Sequence, residues 1–149
     1  MAAISIFYGS VFGNAQNVAE RVCEHFSEKG IDCKVVQEPS VQELQDAEAI
    51  FAVSSTCGLG DVPPNLEGLV TEARDQSLDL SSKRFAVAAL GDSTYVDTFC
   101  GGGKKVYALL EELKANAVAP VLEVDAIETF EPDADVIEWM ENIVGELAA

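Results

Sequence analysis

The chain has 149 residues, 48% hydrophobic and 23% charged, which is enough apolar side chain for one buried core and too much for a disordered polymer. Nine basic residues against 26 acidic ones leave a net charge of -17, which argues against nucleic acid and anionic membrane as partners, since both are polyanions. No apolar run approaches the roughly 18 residues of a bilayer span, and the start Met1-Ala2-Ala3-Ile4-Ser5 is no secretory leader, so the expectation is one domain over 1–149 in the cytoplasm.

Along the chain, Ile4-Ser5-Ile6-Phe7-Tyr8 is a short apolar run stopped by Gly9, the pattern of a buried parallel strand. Over 14–29, Val18, Ala19, Val22, Cys23 and Phe26 share one helical face, and Gly30 ends the helix. A second strand is expected at 33–36, a short helix at 41–46 and a third strand at 49–53. Asn65 reads as the N-cap of a third helix that turns Leu66, Leu69, Val70 and Ala73 inward. Residues 85–90 are apolar without a break and form a fourth strand. The next helix is expected at 105–115, with Val106, Leu109, Leu110 and Leu113 inward, and a short fifth strand at 121–124. A last helix starts near Asp133 and buries Val136, Ile137, Met140, Ile143, Val144 and Leu147, with Trp139 at its edge.

Strict alternation of buried strands and helices predicts an α/β fold, a doubly wound five-stranded parallel sheet with helices on both faces. Right-handed crossovers favour the strand order 2-1-3-4-5, and ligands in such sheets bind beyond the C-terminal strand ends. Glycine-rich segments follow strands one, three and four: Tyr8-Gly9-Ser10-Val11-Phe12-Gly13-Asn14-Ala15, Ser54-Ser55-Thr56-Cys57-Gly58-Leu59-Gly60-Asp61, and Leu90-Gly91-Asp92-Ser93-Thr94-Tyr95 running on to Phe99-Cys100-Gly101-Gly102-Gly103. In that order the three strands are neighbours, so the three loops meet at one sheet edge. The loops after strands two and five lack this character.

The first loop opens a helix, where free N–H groups and the dipole suit an anion. Ser10 adds a hydroxyl and Gly13 allows close approach. The spacing is neither GxGxxG nor a Walker motif, and the loop holds no lysine or arginine. Taken alone, it suits an ordinary strand-to-helix turn as well as a phosphate site. The second and third loops suit the walls around a flat ligand, with Tyr95 placed to stack. Cys23, Cys33, Cys57 and Cys100 form no CxxC pair and no zinc spacing, so four reduced thiols are expected. His25, the only histidine, lies between Glu24 and Glu28 on an outer face, which excludes a Ser-His-Asp or Cys-His mechanism. Neither a catalytic residue nor a metal site is expected.

Taken together, Gly9-Ser10-Val11-Phe12-Gly13-Asn14-Ala15, Ser55-Thr56-Cys57-Gly58-Leu59-Gly60-Asp61 and Leu90-Gly91-Asp92-Ser93-Thr94-Tyr95 resemble the FMN-binding loops of flavodoxins. The likeness is to short-chain bacterial flavodoxins and to the FMN domains of diflavin reductases such as the sulfite reductase flavoprotein. The 2-1-3-4-5 order is itself the family's. The resemblance implies that Ser10, Val11, Phe12, Gly13, Asn14 and Ala15 hold the FMN phosphate. It implies that Ser55, Thr56, Cys57, Gly58, Leu59 and Gly60 line one side of the isoalloxazine. Leu90, Gly91, Asp92, Ser93, Tyr95, Phe99 and Cys100 then line the other, with Tyr95 stacked on the ring. The chain departs from the family at Phe12 and Ala15, where many relatives carry hydroxyls, and at Cys57, where many carry Trp or Tyr. Three residues also separate Tyr95 from Phe99.

The function implied is a low-potential FMN electron carrier, not an enzyme. It would shuttle single electrons from a basic-surfaced reductase of the ferredoxin/flavodoxin-NADP reductase type to an acceptor redox protein. The carrier is expected to act as a monomer, steered by an acidic rim of Asp61, Glu67, Asp92 and Asp97. The alternative is a small FMN-dependent NAD(P)H:quinone-type oxidoreductase, which would need extra chain or a dimer to form a nicotinamide pocket, and these base-poor loops offer no clamp for a 2′-phosphate. A CheY-like module would need acids after strand one and a lysine after strand five, and Gly9-Ser10 and Asp125-Ala126 supply neither.

Overall fold

The computed structural model describes residues 2–149. Its centre is three parallel strands, β1 (Ile4–Gly9), β3 (Ala49–Ser54) and β4 (Arg84–Gly91), with β1 and β3 buried along their whole length. The three-residue β2 (Cys33–Val35) flanks β1, giving the expected order β2-β1-β3-β4. Beyond β4 the fifth position is filled by two pieces, β5 (Asn116–Ala117) and β6 (Leu122–Asp125), both parallel to β4. The sequence reading finds only the second. The edge runs five residues from Ala117 to Leu122 where β4 runs three from Phe85 to Ala88. The surplus contains Pro120, which has no N–H to give the ladder.

Strand periodicity of two sends alternate side chains into two cores. Phe7, Ile50, Ala52, Phe85 and Val87 face α3 (Pro64–Asp75) and α4 (Gly101–Glu112) through Leu66, Leu69, Val106 and Leu109. Ile4, Ile6, Phe51, Val53, Ala86 and Ala88 face α1 (Asn14–Glu28) and α5 (Pro132–Leu147) through Val18, Val22, Phe26, Val136 and Met140. Each fully buried side chain of this size stabilises the fold by about 1.5–3 kcal/mol. The short α2 (Val41–Asp46) is capped by Ser40, whose hydroxyl accepts from the Glu43 N–H. Trp139 is half-buried at a helix edge and tilts over Phe51 with ring centroids 6.5 Å apart. His25 lies on the surface, joined to Glu141 of α5 at 2.7 Å, and Lys29 reaches the same carboxylate at 3.0 Å. All four cysteines are free thiols.

Two helix starts differ from expectation. α4 begins at Gly101, inside a glycine run that reads as loop. A glycine in a helix costs about 1 kcal/mol, and here contact requires it. A Cβ on Gly102 would collide with the Ser55 carbonyl oxygen, and one on Gly103 with Ala89. α3 begins at Pro64 after Pro63 at the cap position, and no side chain caps it. Asn65 sits one residue inside and is engaged elsewhere.

Candidate functional site

A cleft of about 720 Å³ opens at the C-terminal ends of β1, β3 and β4, where opposed connections leave a crevice in a doubly wound sheet. Val11, Phe12 and Asn14 enter it from the first loop, and Ser55, Thr56, Cys57 and Gly58 from the second. Leu90, Gly91, Asp92, Tyr95 and Cys100 enter it from the third. Thr98 joins them, as do Val124, Ala126, Thr129 and Pro132 from β6 and the segment that follows it. The sequence reading named no site residue in that last wall. It has no glycine signal, and only the pairing of β6 with the C-terminal half of β4 brings it to the cleft.

Of the other expected residues, Ser10 and Gly13 shape the first loop without lining the cleft. The Gly13 N–H donates to Ser10 Oγ at 2.9 Å, which leaves the Ser10 hydroxyl proton for an outside acceptor. Ala15 is fully buried against the α1 core, so its side chain cannot reach a ligand and only its amide could. Leu59 is exposed, while Gly60 is buried against Thr98. The Ser93 N–H donates to Asp125 at 3.1 Å. Phe99 is half-buried beneath the Lys104 ammonium, 5.6 Å from its ring centre.

The local chemistry of each loop explains its shape. Gly13 stands at the cap of α1 with φ +88° and no side-chain cap, so among the described residues the first-turn amides at this end of the cleft find no side-chain partner. In the second loop Cys57 and Asp61 exchange two backbone hydrogen bonds of 2.8 and 2.7 Å. The tight turn between them relies on positive φ at Gly58 and Gly60. The Thr56 hydroxyl donates to the Leu90 carbonyl at 3.0 Å and accepts from the Gly102 N–H at 3.2 Å, tying this loop to β4 and α4. Lys105 binds Asp61 at 2.9 Å and holds its carboxyl below the usual range. Cys100 adopts a left-handed conformation, is fully buried and donates to the Ala89 carbonyl at 3.3 Å. Burial pushes its thiol up to about 11, so it stays protonated and unreactive at neutral pH.

Asp125 at the end of β6 fastens the third loop to the fourth wall. Its carboxylate is held below the ordinary range by the Ser93 side chain and the Ile127 N–H. A depressed folded-state value contributes stability that is complete above about pH 4 and is lost as pH falls further through that value. Urea midpoints at pH 7 and pH 3 should therefore differ less in Asp125→Asn than in the parent protein. An identical difference would remove Asp125 from the acid response.

Large apolar side chains are exposed at Val11, Phe12, Leu59, Tyr95, Val96, Ile127 and Phe130. Every one stands in a connection at this end of the sheet, Val96 in a single 3₁₀ turn, as at a contact surface. Among the described residues no cluster of three His, Cys, Asp or Glu is arranged to hold a metal ion, and no helix is long and apolar enough to cross a membrane.

A flavodoxin family profile matches residues 6–139. The chain is similar to flavodoxin YqcA of Escherichia coli, 37% identical over 145 residues that cover 95% of this chain and 96% of that one. Among solved structures, a cysteine-to-alanine mutant of flavodoxin from Pseudomonas aeruginosa superposes with a TM-score of 0.91 at 36% identity, covering 99% of both chains. Flavodoxin of Fusobacterium nucleatum, solved bound to flavin mononucleotide, shares the fold with a TM-score of 0.83 at 17% identity over 99% of both chains.

Proposed function

This chain belongs to the flavodoxin family, whose members carry electrons on FMN, and we propose that it takes them from a basic-surfaced reductase and delivers them to an acceptor redox protein. The single observation that supports the FMN site in this reading is the meeting, in one cleft, of an uncapped helix start with two loop walls. The cleft has the volume of a cofactor site, an end rich in N–H donors and walls that are mainly backbone and apolar side chain. These features fit a phosphate at one end and a planar ring system at the other. FMN, when bound, supplies the one-electron chemistry.

The residues then divide by task. The Ser10 hydroxyl and the amides of Asn14 and Ala15 hold the phosphate by dipoles alone, since no lysine or arginine lines the cleft. Tyr95, 67% exposed at the mouth, closes over the ring. The turn between Cys57 and Asp61, which brings Cys57 and Gly58 to the cleft, would offer its peptide groups to the edge of the ring. Leu90, Val124 and Ala126 exclude water from the floor. Titration of the FMN-free protein tests the assignment: a yellow one-to-one complex forms, and NADPH is not consumed until a reductase is added. NADPH oxidation by the complex alone would favour the oxidoreductase reading instead.

Docking is proposed to occur through the exposed apolar ring around the mouth, within the field of the acidic surface, between a cytoplasmic monomer and its partners. Asp61 contributes less to that field than its position suggests, because Lys105 balances it. Among the described residues, Glu67, Asp92 and Asp97 have no such cation in contact. Charge-steered association weakens as salt shortens the Debye length from about 30 Å at 0.01 M to about 8 Å at 0.15 M. Stopped-flow reduction by a basic reductase should slow about tenfold or more over that range. A salt-independent rate would contradict this account of steering.

A further inference from the structure

We propose that Asn65 is a positioning residue for the phosphate end of the cleft, an inference that rests on the FMN reading above. Its side chain reaches from the first turn of α3 to the end of β1. There Nδ2 donates to the Tyr8 carbonyl at 2.9 Å, and Oδ1 accepts from the Ser10 N–H at 2.8 Å. The orientation of the amide follows from chemistry, because a carbonyl only accepts and a peptide N–H only donates. Asn65 thus meets this stretch of backbone as a neighbouring strand would.

The chain needs such a partner at this point. The last pairing of β1 with β3 joins Gly9 to Ser54, and the Gly9 carbonyl receives the Ser55 N–H at 2.8 Å. Beyond it the backbone leaves the sheet, and the Ser10 N–H finds its acceptor in Asn65. With Ser10 fixed, its Oγ receives the Gly13 N–H, and Gly13 stands at the cap of α1. A side chain outside the cleft lining therefore sets the turn that aims the first-turn amides of α1. Its own base is rigid: Pro63 and Pro64 fix the chain just before it, and Leu66, 1% exposed, anchors α3 in the core. This engagement also accounts for Asn65 not capping its own helix.

The inference separates the phosphate end from the ring end, and two ligands test that separation. FMN and riboflavin share the ring system, and only FMN carries the phosphate. Dissociation constants for both are measured with the FMN-free full chain, with Asn65→Ala and with Asn65→Leu, which keeps the volume and removes both hydrogen bonds. The variants should bind FMN about tenfold more weakly, as loss of hydrogen bonds that orient a charged contact implies, and riboflavin within twofold of the parent. Should the apolar changes lower the yield of folded protein, Asn65→Ser, which stays neutral and polar but is too short to make both hydrogen bonds, shows the same selective loss. A parent that prefers FMN, with variants that keep the same preference or lose both ligands equally, overturns the role of Asn65 alone. A parent with no preference for FMN over riboflavin overturns the phosphate site itself and this inference with it.

Discussion

Gly13→Val abolishes FMN binding, while the same change at Gly30 leaves binding intact. The two glycines form a matched pair at opposite ends of α1: φ is +88° at Gly13 and +85° at Gly30, and a Cβ at either would meet nothing within 4 Å. Valine is therefore strained at both positions by about 2 kcal/mol, with no clash at either. Relief of that strain has different consequences. At Gly13 the N–H is bound by Ser10 Oγ and the carbonyl accepts the Asn17 N–H at 2.9 Å. A backbone that leaves the left-handed region there turns the first helical amides away from the cleft. The expected loss is at least about 100-fold in FMN affinity, as several hydrogen bonds to a charged group are lost together. Gly30→Val should lose comparable stability and bind FMN like the parent. Fluorescence titration of both variants decides the matter, and equal affinities would remove Gly13 from the site.

The largest loss of stability is expected from Gly102→Ala. The new methyl would overlap the Ser55 carbonyl oxygen and stand 3.0 Å from the Asp61 carbonyl oxygen. Both are backbone atoms, so no rotamer change relieves the contact. Either α4 or the second loop must retreat, and the Gly102 N–H to Thr56 bond goes with it. Forced overpacking of this kind costs about 3 kcal/mol. Ser55 and Thr56 line the cleft, so FMN affinity should fall as well. Gly145→Ala is the control within the same chain: it lies in α5 with open space around the new Cβ, and should gain about 0.5–1 kcal/mol from helix propensity. Urea denaturation of the two variants should move the midpoint in opposite directions. A Gly102→Ala midpoint equal to the parent's would mean that the helix start packs less tightly than described.

Legibility in the sequence followed the reach of each interaction. β1, β3 and β4 are readable because a strand covered on both faces needs nearly every side chain apolar, and Ile4-Ser5-Ile6-Phe7-Tyr8 says so locally. The first two glycine-rich loops are readable because turns with positive φ constrain residue type at the turn itself, as at Gly13, Gly58 and Gly60. Gly101-Gly102-Gly103 misleads for the complementary reason. These glycines answer to atoms of the second loop and of β4, and a local reading sees only poor helix formers. Asn65 misleads in the same way, since the local rule places its side chain on its own helix and the structure places it on backbone 55 and 57 positions earlier. Thr129 and Pro132 reach the cleft through the register of β6 on β4 and the packing of α5, which no local pattern encodes.

The split fifth position bears on how this sheet behaves in a crowded solution. A long, straight outer strand offers a row of free N–H and C=O groups on which another chain can grow. Here one outer strand is three residues long, and the other is interrupted around Pro120 into pieces of two and four. An incoming strand would lose its hydrogen-bond register at the interruption. The fold can thus expose a ring of large apolar side chains at one end while its flanks remain poor templates for edge-to-edge growth. Edge-to-edge growth along the sides of the sheet is thereby disfavoured, whatever the apolar ring at the cleft end contacts.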